Sequence, residues 1–285
     1  MAEIGSVIDG KYEILTEIGH GGMSVVYLAM DTHLNKQWAV KEIKKKGSGK
    51  NDEIVVNLLA EANMMKRLDH PSLPRIVDII DNGITIYVVM DYIEGESLDK
   101  ILAEYGAQPE ELVIGWAKQL CDALSYLHSQ KPPIIYRDMK PANVMLKPEG
   151  NIKIIDFGTA KYINNQKSQT LSVVLKPGYA PPEQYSTTSK QGAFTDVYAL
   201  ASTFYYVLTG KKIPAAPDRL VNEDFVPLED YDFLGEQYAG LTLVLKDALR
   251  TSVKKRIQTM EEFASRLKSL HSSITCLLYT SPSPR

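Results

Sequence analysis

Over the first ninety residues, β-branched and aromatic positions come in short runs broken by Gly, Asn or Asp. They are YEILTEI from Tyr12, VVYLAM from Val25, WAVKEI from Trp38, IVDII from Ile76 and ITIYVVMDY from Ile84. Side chains of that shape fit the pleated, half-buried surface of a strand, so these runs predict a β-rich segment. One stretch breaks the pattern. In IVVNLLAEANMMKRL, Val55, Leu58, Leu59, Ala62, Met65 and Leu68 recur at helical spacing, which places one helix inside the strand-rich part.

After Glu94 and Gly95 the period becomes helical. Pro109 with Glu110 and Glu111 predicts a first turn, because proline fits where backbone N–H groups are unpaired and carboxylates favour the positive end of the helix. The stripe Val113, Trp116, Ala117, Leu120, Leu124, Leu127 then gives a long amphipathic helix. DVYALASTFYYVLTG is apolar nearly all round and stops at Gly210, which describes a buried helix. Thr259 and Glu262 have capping-box spacing ahead of Phe263, Leu267 and Leu270, so a last helix closes the domain.

The expected architecture is therefore α+β and bilobal. A small antiparallel β lobe with one helix occupies 1–94, and a larger, mainly α-helical lobe occupies 95–271. A short connector lies near Asp91 to Gly95, a cleft is expected between the lobes, and 272–285 form a tail.

Composition narrows the function classes. The apolar fraction of 44% with 24% charged residues is ordinary for a globular protein, and the formal net charge of −3 supplies no basic field for nucleic acid. The run Lys44 to Lys46, followed by Gly47, Ser48 and Gly49, reads as a solvated loop. No apolar run approaches the roughly 20 residues of a membrane helix, and the N-terminus lacks the pattern of a signal peptide, so a cytoplasmic location is expected. Cys121 falls on a helical apolar pattern and reads as a small core residue. The last ten residues, CLLYTSPSPR at 276–285, resemble the conceptual translation of a sequencing adapter and are set aside from fold reasoning.

The candidate chemistry lies in two clusters. In IGHGGMSVVYLAM, Gly19, Gly21 and Gly22 sit between two strand-like runs, where glycine lets backbone N–H groups approach phosphate oxygens. A dinucleotide-binding turn needs a helix immediately after its glycines, and a strand-like VVYLA follows here, so that reading loses. A plain glycine-rich hairpin remains open. Lys41 in AVK and Glu61 in the predicted helix follow in order, and a helix acid can hold a lysine against nucleotide phosphates. In the second cluster, IIYRDMKPANVML carries Asp138, Lys140 and Asn143 between apolar runs, and IKIIDFG ends a strand with Asp156. Asn143 and Asp156 are hard oxygen donors suited to Mg²⁺.

With these parts in this order, about Lys11 to Leu270 resembles a protein kinase, specifically the bacterial serine/threonine kinases of the eukaryotic type. YRDMKPAN stands for HRDLKPxN, PPEQY for APEQY, and Asp196 opens the buried helix. The resemblance implies ATP with Mg²⁺, Mn²⁺ serving as a substitute, and protein substrates with Ser or Thr acceptors, since a lysine two places after the catalytic Asp marks the serine/threonine branch. It implies that Asp138 orients and deprotonates the acceptor hydroxyl, Lys140 approaches the γ-phosphate, and Asn143 and Asp156 hold the metal. It places Lys41 on the α- and β-phosphates with Glu61 behind it, and residues 19–24 over the triphosphate. Adenine would lie among Ile18, Val26, Ala39, Met90, Met145 and Ile155, with Asp91 to Ile93 offering backbone hydrogen bonds. Glu183 and Arg256 match the family's buried ion pair.

Three positions depart from the family pattern. Ser24 replaces the third glycine of the phosphate loop, Tyr136 replaces the histidine before Arg137, and Lys176 replaces a threonine that usually bonds the catalytic Asp and lysine. A cation at 176 could pair with Asp138 or with an acid of the substrate. The polar segment after Gly158 reads as an activation loop with Thr170, Ser168 and Ser172 as candidate phosphosites, Thr170 preferred, and Arg137 as their receiver. Autophosphorylation in trans would use a homodimer, and the intact protein would be tethered to a membrane by a region beyond this chain. Two other readings stand beside the enzyme: a pseudokinase or nucleotide-gated scaffold, motivated by Lys176 and Ser24, and a small-molecule kinase, which PPEQY disfavours.

Overall fold

The computed structural model describes residues 2–20, 24–45, 63–156, 161–162, 175–186, 188–222, 225–234 and 238–278, with 161–162 and 271–278 described by their backbone alone. The chain divides into two compact units, Met1–Gly95 and Glu96–Arg285.

The first unit is built on one six-stranded antiparallel sheet. Its strands are β1 (Val7–Ile8), β2 (Tyr12–His20), β3 (Ser24–Asp31), β4 (Lys36–Lys44), β5 (Ile76–Asp81) and β6 (Thr85–Asp91), in the order β1-β2-β3-β4-β6-β5. Alternation along β3 sets the two faces. Val25, Tyr27, Ala29 and Asp31 are buried, whereas Ser24, Val26, Leu28 and Met30 are half-buried. Tyr12, Ile14, Trp38, Val40 and Val89 join Val25, Tyr27 and Ala29 in one core. Residues Asn63 to Met65 are helical, and the remainder of the helix expected before them lies outside the described residues.

The second unit opens with β7 (Glu96–Ser97) and α1 (Leu98–Tyr105), followed by α2 (Glu110–His128). Pro109 caps α2 from outside instead of entering its first turn, and Val113 N–H donates back to the Pro109 carbonyl. Three short strands follow, β8 (Ile134–Ile135), β9 (Val144–Leu146) and β10 (Ile152–Ile154). β9 pairs with both β7 and β10, and β11 (Lys161–Tyr162) pairs with β8. The helix expected to be buried is α3 (Ala193–Thr209). From Thr195 to Thr209 every residue of it except Tyr206 is buried. It ends at Gly210, whose φ of 68° is the left-handed conformation that glycine adopts without penalty.

Around α3 pack α2, α5 (Ala239–Ala248) and α6 (Met260–Leu278), with the short α4 (Ala216–Arg219) following it in sequence. Thr259 Oγ1 accepts the Glu262 N–H at 3.2 Å, one half of the expected capping box. The helix α6 continues past Leu270 to Leu278. Among the described residues no helix is long and apolar enough to cross a membrane.

Candidate active site

The hairpin of β9 and β10 explains why two residues twelve apart in sequence meet. Val144 pairs with Ile154, so Asn143 just before β9 and Ile155 just after β10 fall side by side, and Ile155 N–H donates to the Asn143 carbonyl at 2.8 Å. Asp156 follows with φ of 61°, a left-handed conformation that Asp tolerates better than most side chains and that turns the chain out of the strand. Its side chain is exposed.

Asp138, Lys140 and Asn143 converge within this unit. Lys140 Nζ lies 2.5 Å from Asp138 Oδ2, and Asn143 Nδ2 donates to the same oxygen and to the Asp138 carbonyl, both at 2.8 Å. Two donors on Oδ2 leave Oδ1 with no hydrogen-bond partner among the described residues. Because Asn143 spends its amide nitrogen on Asp138, its Oδ1 is turned elsewhere as a spare acceptor.

The backbone beneath Asp138 is bent and held. Arg137 has φ of 73°, and the buried Asp196 carboxylate accepts its N–H at 2.7 Å and that of Tyr136 at 2.9 Å. Strain of this kind persists only where surrounding bonds over-determine it. His128 and Gln184, which sequence reasoning passed over, and Tyr136, which it marked only as a departure, supply more of those bonds. His128 Nε2 lies 2.8 Å from Asp196 Oδ2, Gln184 Nε2 donates to the Arg137 carbonyl at 2.9 Å, and the Tyr136 hydroxyl donates to the Ile155 carbonyl at 2.5 Å. Their partners lie 19 to 68 residues away in sequence, and no local pattern signals them.

Arg137 is buried, and its Nε has no hydrogen-bond partner among the described residues. Burial holds its pKa below the ordinary value, against the opposing pull of Asp196. Beside it, Asp138, Lys176, Tyr179 and Gln184 line a cavity of about 10 Å³, room for roughly one water. Glu183 and Arg256 form a buried bidentate pair, Nη1 to Oε1 at 2.6 Å and Nη2 to Oε2 at 3.0 Å.

In the first unit, pairing brings Gly19, Val26, Lys41 and Val88 into one row across β2, β3, β4 and β6, and Leu28, Ala39 and Met90 into the next. These rows share the half-buried face of β3. Ile18 is exposed, and Asp91 accepts the Arg75 N–H and guanidinium while donating its own N–H to the Arg75 carbonyl. Met145 and Ile155 are half-buried in the second unit. Gly21, Gly22, Glu61, Ser168, Thr170 and Ser172 lie outside the described residues.

An amide oxygen and a carboxylate, each hard and each at the end of the same hairpin, fit a small divalent cation such as Mg²⁺ that takes one or two protein oxygens and fills its shell with water and phosphate. No group of three or more His, Cys, Asp or Glu suited to a metal occurs among the described residues.

The comparison with known proteins gives the chain a family. The model of the protein kinase domain matches residues 12–276. The chain belongs to the protein kinase family. A probable serine/threonine-protein kinase of Clostridium acetobutylicum is 35% identical over 228 residues, which is 80% of this chain and 34% of that protein. The serine/threonine-protein kinase PrkC of Bacillus subtilis is 34% identical across 73% of this chain and 32% of its own length, and PknB of Mycobacterium leprae is 31% identical across 93% and 44%. The chain thus spans 32–44% of the length of these curated relatives. The expected fold class agrees with this membership: an antiparallel sheet with a helix, then a mainly helical part. ATP is the nucleotide the family implies.

Proposed function

We propose that this domain is a serine/threonine-protein kinase that transfers the γ-phosphoryl group of ATP to Ser or Thr hydroxyls of proteins. The observation that carries the reading is the Asp138 carboxylate, with one oxygen saturated by Lys140 and Asn143 and the other left to accept a proton. Phosphoryl transfer asks a protein mainly for alignment and charge neutralisation. Asp138 Oδ1 accepts the hydrogen bond of the acceptor hydroxyl, aims its oxygen and takes its proton as the bond to the γ-phosphorus forms and the bond from that phosphorus to the bridging oxygen breaks, releasing ADP. Lys140 keeps that carboxylate in place and offers positive charge beside the transferring group.

Asn143 Oδ1 and Asp156 are the groups to hold Mg²⁺, which when bound would offset charge on the phosphates. Lys41 is the phosphate-facing cation of the first unit, with Glu61, Gly21, Gly22 and Ser24 completing that assignment. In the first unit, Ile18, Val26, Ala39 and Met90 are assigned to adenine.

We infer autophosphorylation from Arg137. A buried guanidinium whose Nε–H meets no partner among the described residues is a ready receiver for a phosphate on Thr170, or on Ser168 or Ser172, which would order the loop by charge-assisted hydrogen bonds.

The test is radiolabelled ATP with a generic protein substrate, comparing wild type with Asp138→Asn. A loss of about 10²–10³ in rate is expected for removing one such group. Equal incorporation by both proteins would favour the nucleotide-gated scaffold.

A further inference from the structure

Lys176 lies beside Asp138 on the wall of the small cavity, together with Tyr179 and Gln184. It is exposed, and it makes no ion pair with any described residue. Asp138 does not need it, because Lys140 and Asn143 already occupy Oδ2. Among the described residues the Lys176 charge is therefore met neither by Asp138 nor by another acid, and an acid of the substrate is the alternative it favours.

The segment carrying Lys176 is fixed. Ser202 Oγ donates to the Gly178 carbonyl, and Tyr179 N–H and Ala180 N–H both donate to the Lys176 carbonyl at 3.1 Å. Gly178 has φ of 85° and packs against the Ile213 carbonyl, where a Cβ would come within 3.1 Å. A second cation stands near: Lys212 Nζ lies 5.6 Å from the ring centroids of both Tyr179 and Tyr206. Lys176 and Lys212 thus flank Tyr179, on which Asp99 also acts.

We propose that Lys176 is a specificity residue that selects protein substrates with an acidic side chain within about two residues of the acceptor Ser or Thr, given that an extended chain advances roughly 3.3–3.6 Å per residue. This rests on the phosphotransfer reading above and adds a substrate class to it. A fixed cation beside the acceptor site favours an acid there and opposes a lysine by like-charge repulsion. The exposed position keeps the effect modest and sensitive to salt.

The experiment uses the whole chain with ATP and Mg²⁺ and peptides that differ only in Asp, Ala or Lys placed one or two residues to either side of a single serine. Wild type is expected to favour Asp over Ala at one of these places by about fivefold in kcat/KM, expressed in KM, as suits a contact made equally in the bound and transition states. Lys176→Ala should bring the Asp-to-Ala ratio close to one, and Lys176→Glu should invert it in favour of the Lys peptide. Inversion of charge preference is a readout that damage to the fold does not produce. If wild type phosphorylates the peptides without regard to charge, or if its preference persists in both variants, the inference fails while the kinase reading stands. If wild type phosphorylates none of them, nor the generic protein substrate, the kinase reading itself fails and takes this inference with it.

Discussion

The buried carboxylate of Asp196 accepts the backbone N–H of Arg137 at 2.7 Å, across 59 residues of sequence. Its other oxygen takes the Tyr136 N–H and meets His128 Nε2. The first turns of α3, the most deeply buried helix of the unit, thus hold the strained residue just before Asp138. Removing the carboxylate strands two buried donors at roughly 1–3 kcal/mol each, so Asp196→Ala should lower stability by roughly 2–6 kcal/mol and abolish phosphotransfer. Urea denaturation followed by tryptophan fluorescence checks the first part. A midpoint equal to wild type would show that the loop is held by something else.

Arg256 is saturated in a way that makes its loss costly. Besides the two bonds to Glu183, its Nε donates to the Arg250 carbonyl at 2.8 Å and its Nη1 to the Phe194 carbonyl at 3.1 Å. Thr195 Oγ1 also donates to Glu183, so the acid keeps one partner after the substitution. Breaking a buried pair costs about 3–5 kcal/mol, because one charge is left without its partner. Arg256→Ala should therefore melt well below wild type. Arg256→Lys should recover only part of the loss, since a lysine cannot reproduce the planar two-point contact. An unchanged melting temperature for Arg256→Ala would contradict this account.

Mass spectrometry after incubation with ATP and Mg²⁺ should find phosphate on Thr170, Ser168 or Ser172. Arg137→Ala should leave a phosphorylated protein no more active than its unmodified form, because the phosphate has lost its receiver. A loop that carries no phosphate in the active wild type removes the autophosphorylation reading and leaves the transfer reaction untouched.

How far these features were legible depends on whether their cause is local. The period of α2, the all-round apolar character of α3 and the long strands β2 to β6 follow from side-chain patterning, which a single stretch of sequence carries. The two-residue strands β1, β7, β8 and β11 carry no such pattern and exist through their pairing partners. The order of the catalytic motifs was readable, whereas the hairpin that brings Asn143 to Ile155 rests on the pairing of β9 with β10, which no local pattern announced. His128, Gln184 and the Tyr136 hydroxyl were not readable, because a histidine at a helix end or a glutamine in a loop looks the same with or without a distant partner. Glu42 was missed for a related reason. It continues the alternation of WAVKEI onto the face with Trp38 and Val40, and so places an acid where a core residue was due.

That acid makes a further test available in the first unit. Glu42 Oε2 accepts the Tyr27 hydroxyl at 3.0 Å and the Ala2 N–H at 2.7 Å. Burial alone would raise its pKa, but the Ala2 and Tyr27 hydrogen bonds outweigh burial and leave it below the ordinary 4.5. Burial first, and then the bond to Glu42, push Tyr27 up to about 12. The signs follow from linkage. The contribution of Glu42 is fully present above about pH 4.5 and disappears as pH falls through its lowered folded value. The contribution of Tyr27 is fully present below pH 10.0 and disappears as pH rises through about 12. Asp31 and Asp81 are also lowered and Tyr12 and Tyr87 also raised, so neither limb belongs to one residue and the comparison must be made against wild type. Glu42→Gln should shallow the acid limb of a urea-midpoint profile, and Tyr27→Phe the alkaline limb. Each variant should leave the opposite limb closer to its wild-type slope, and profiles merely displaced in parallel would show that the pair titrates no differently in the folded and unfolded chain.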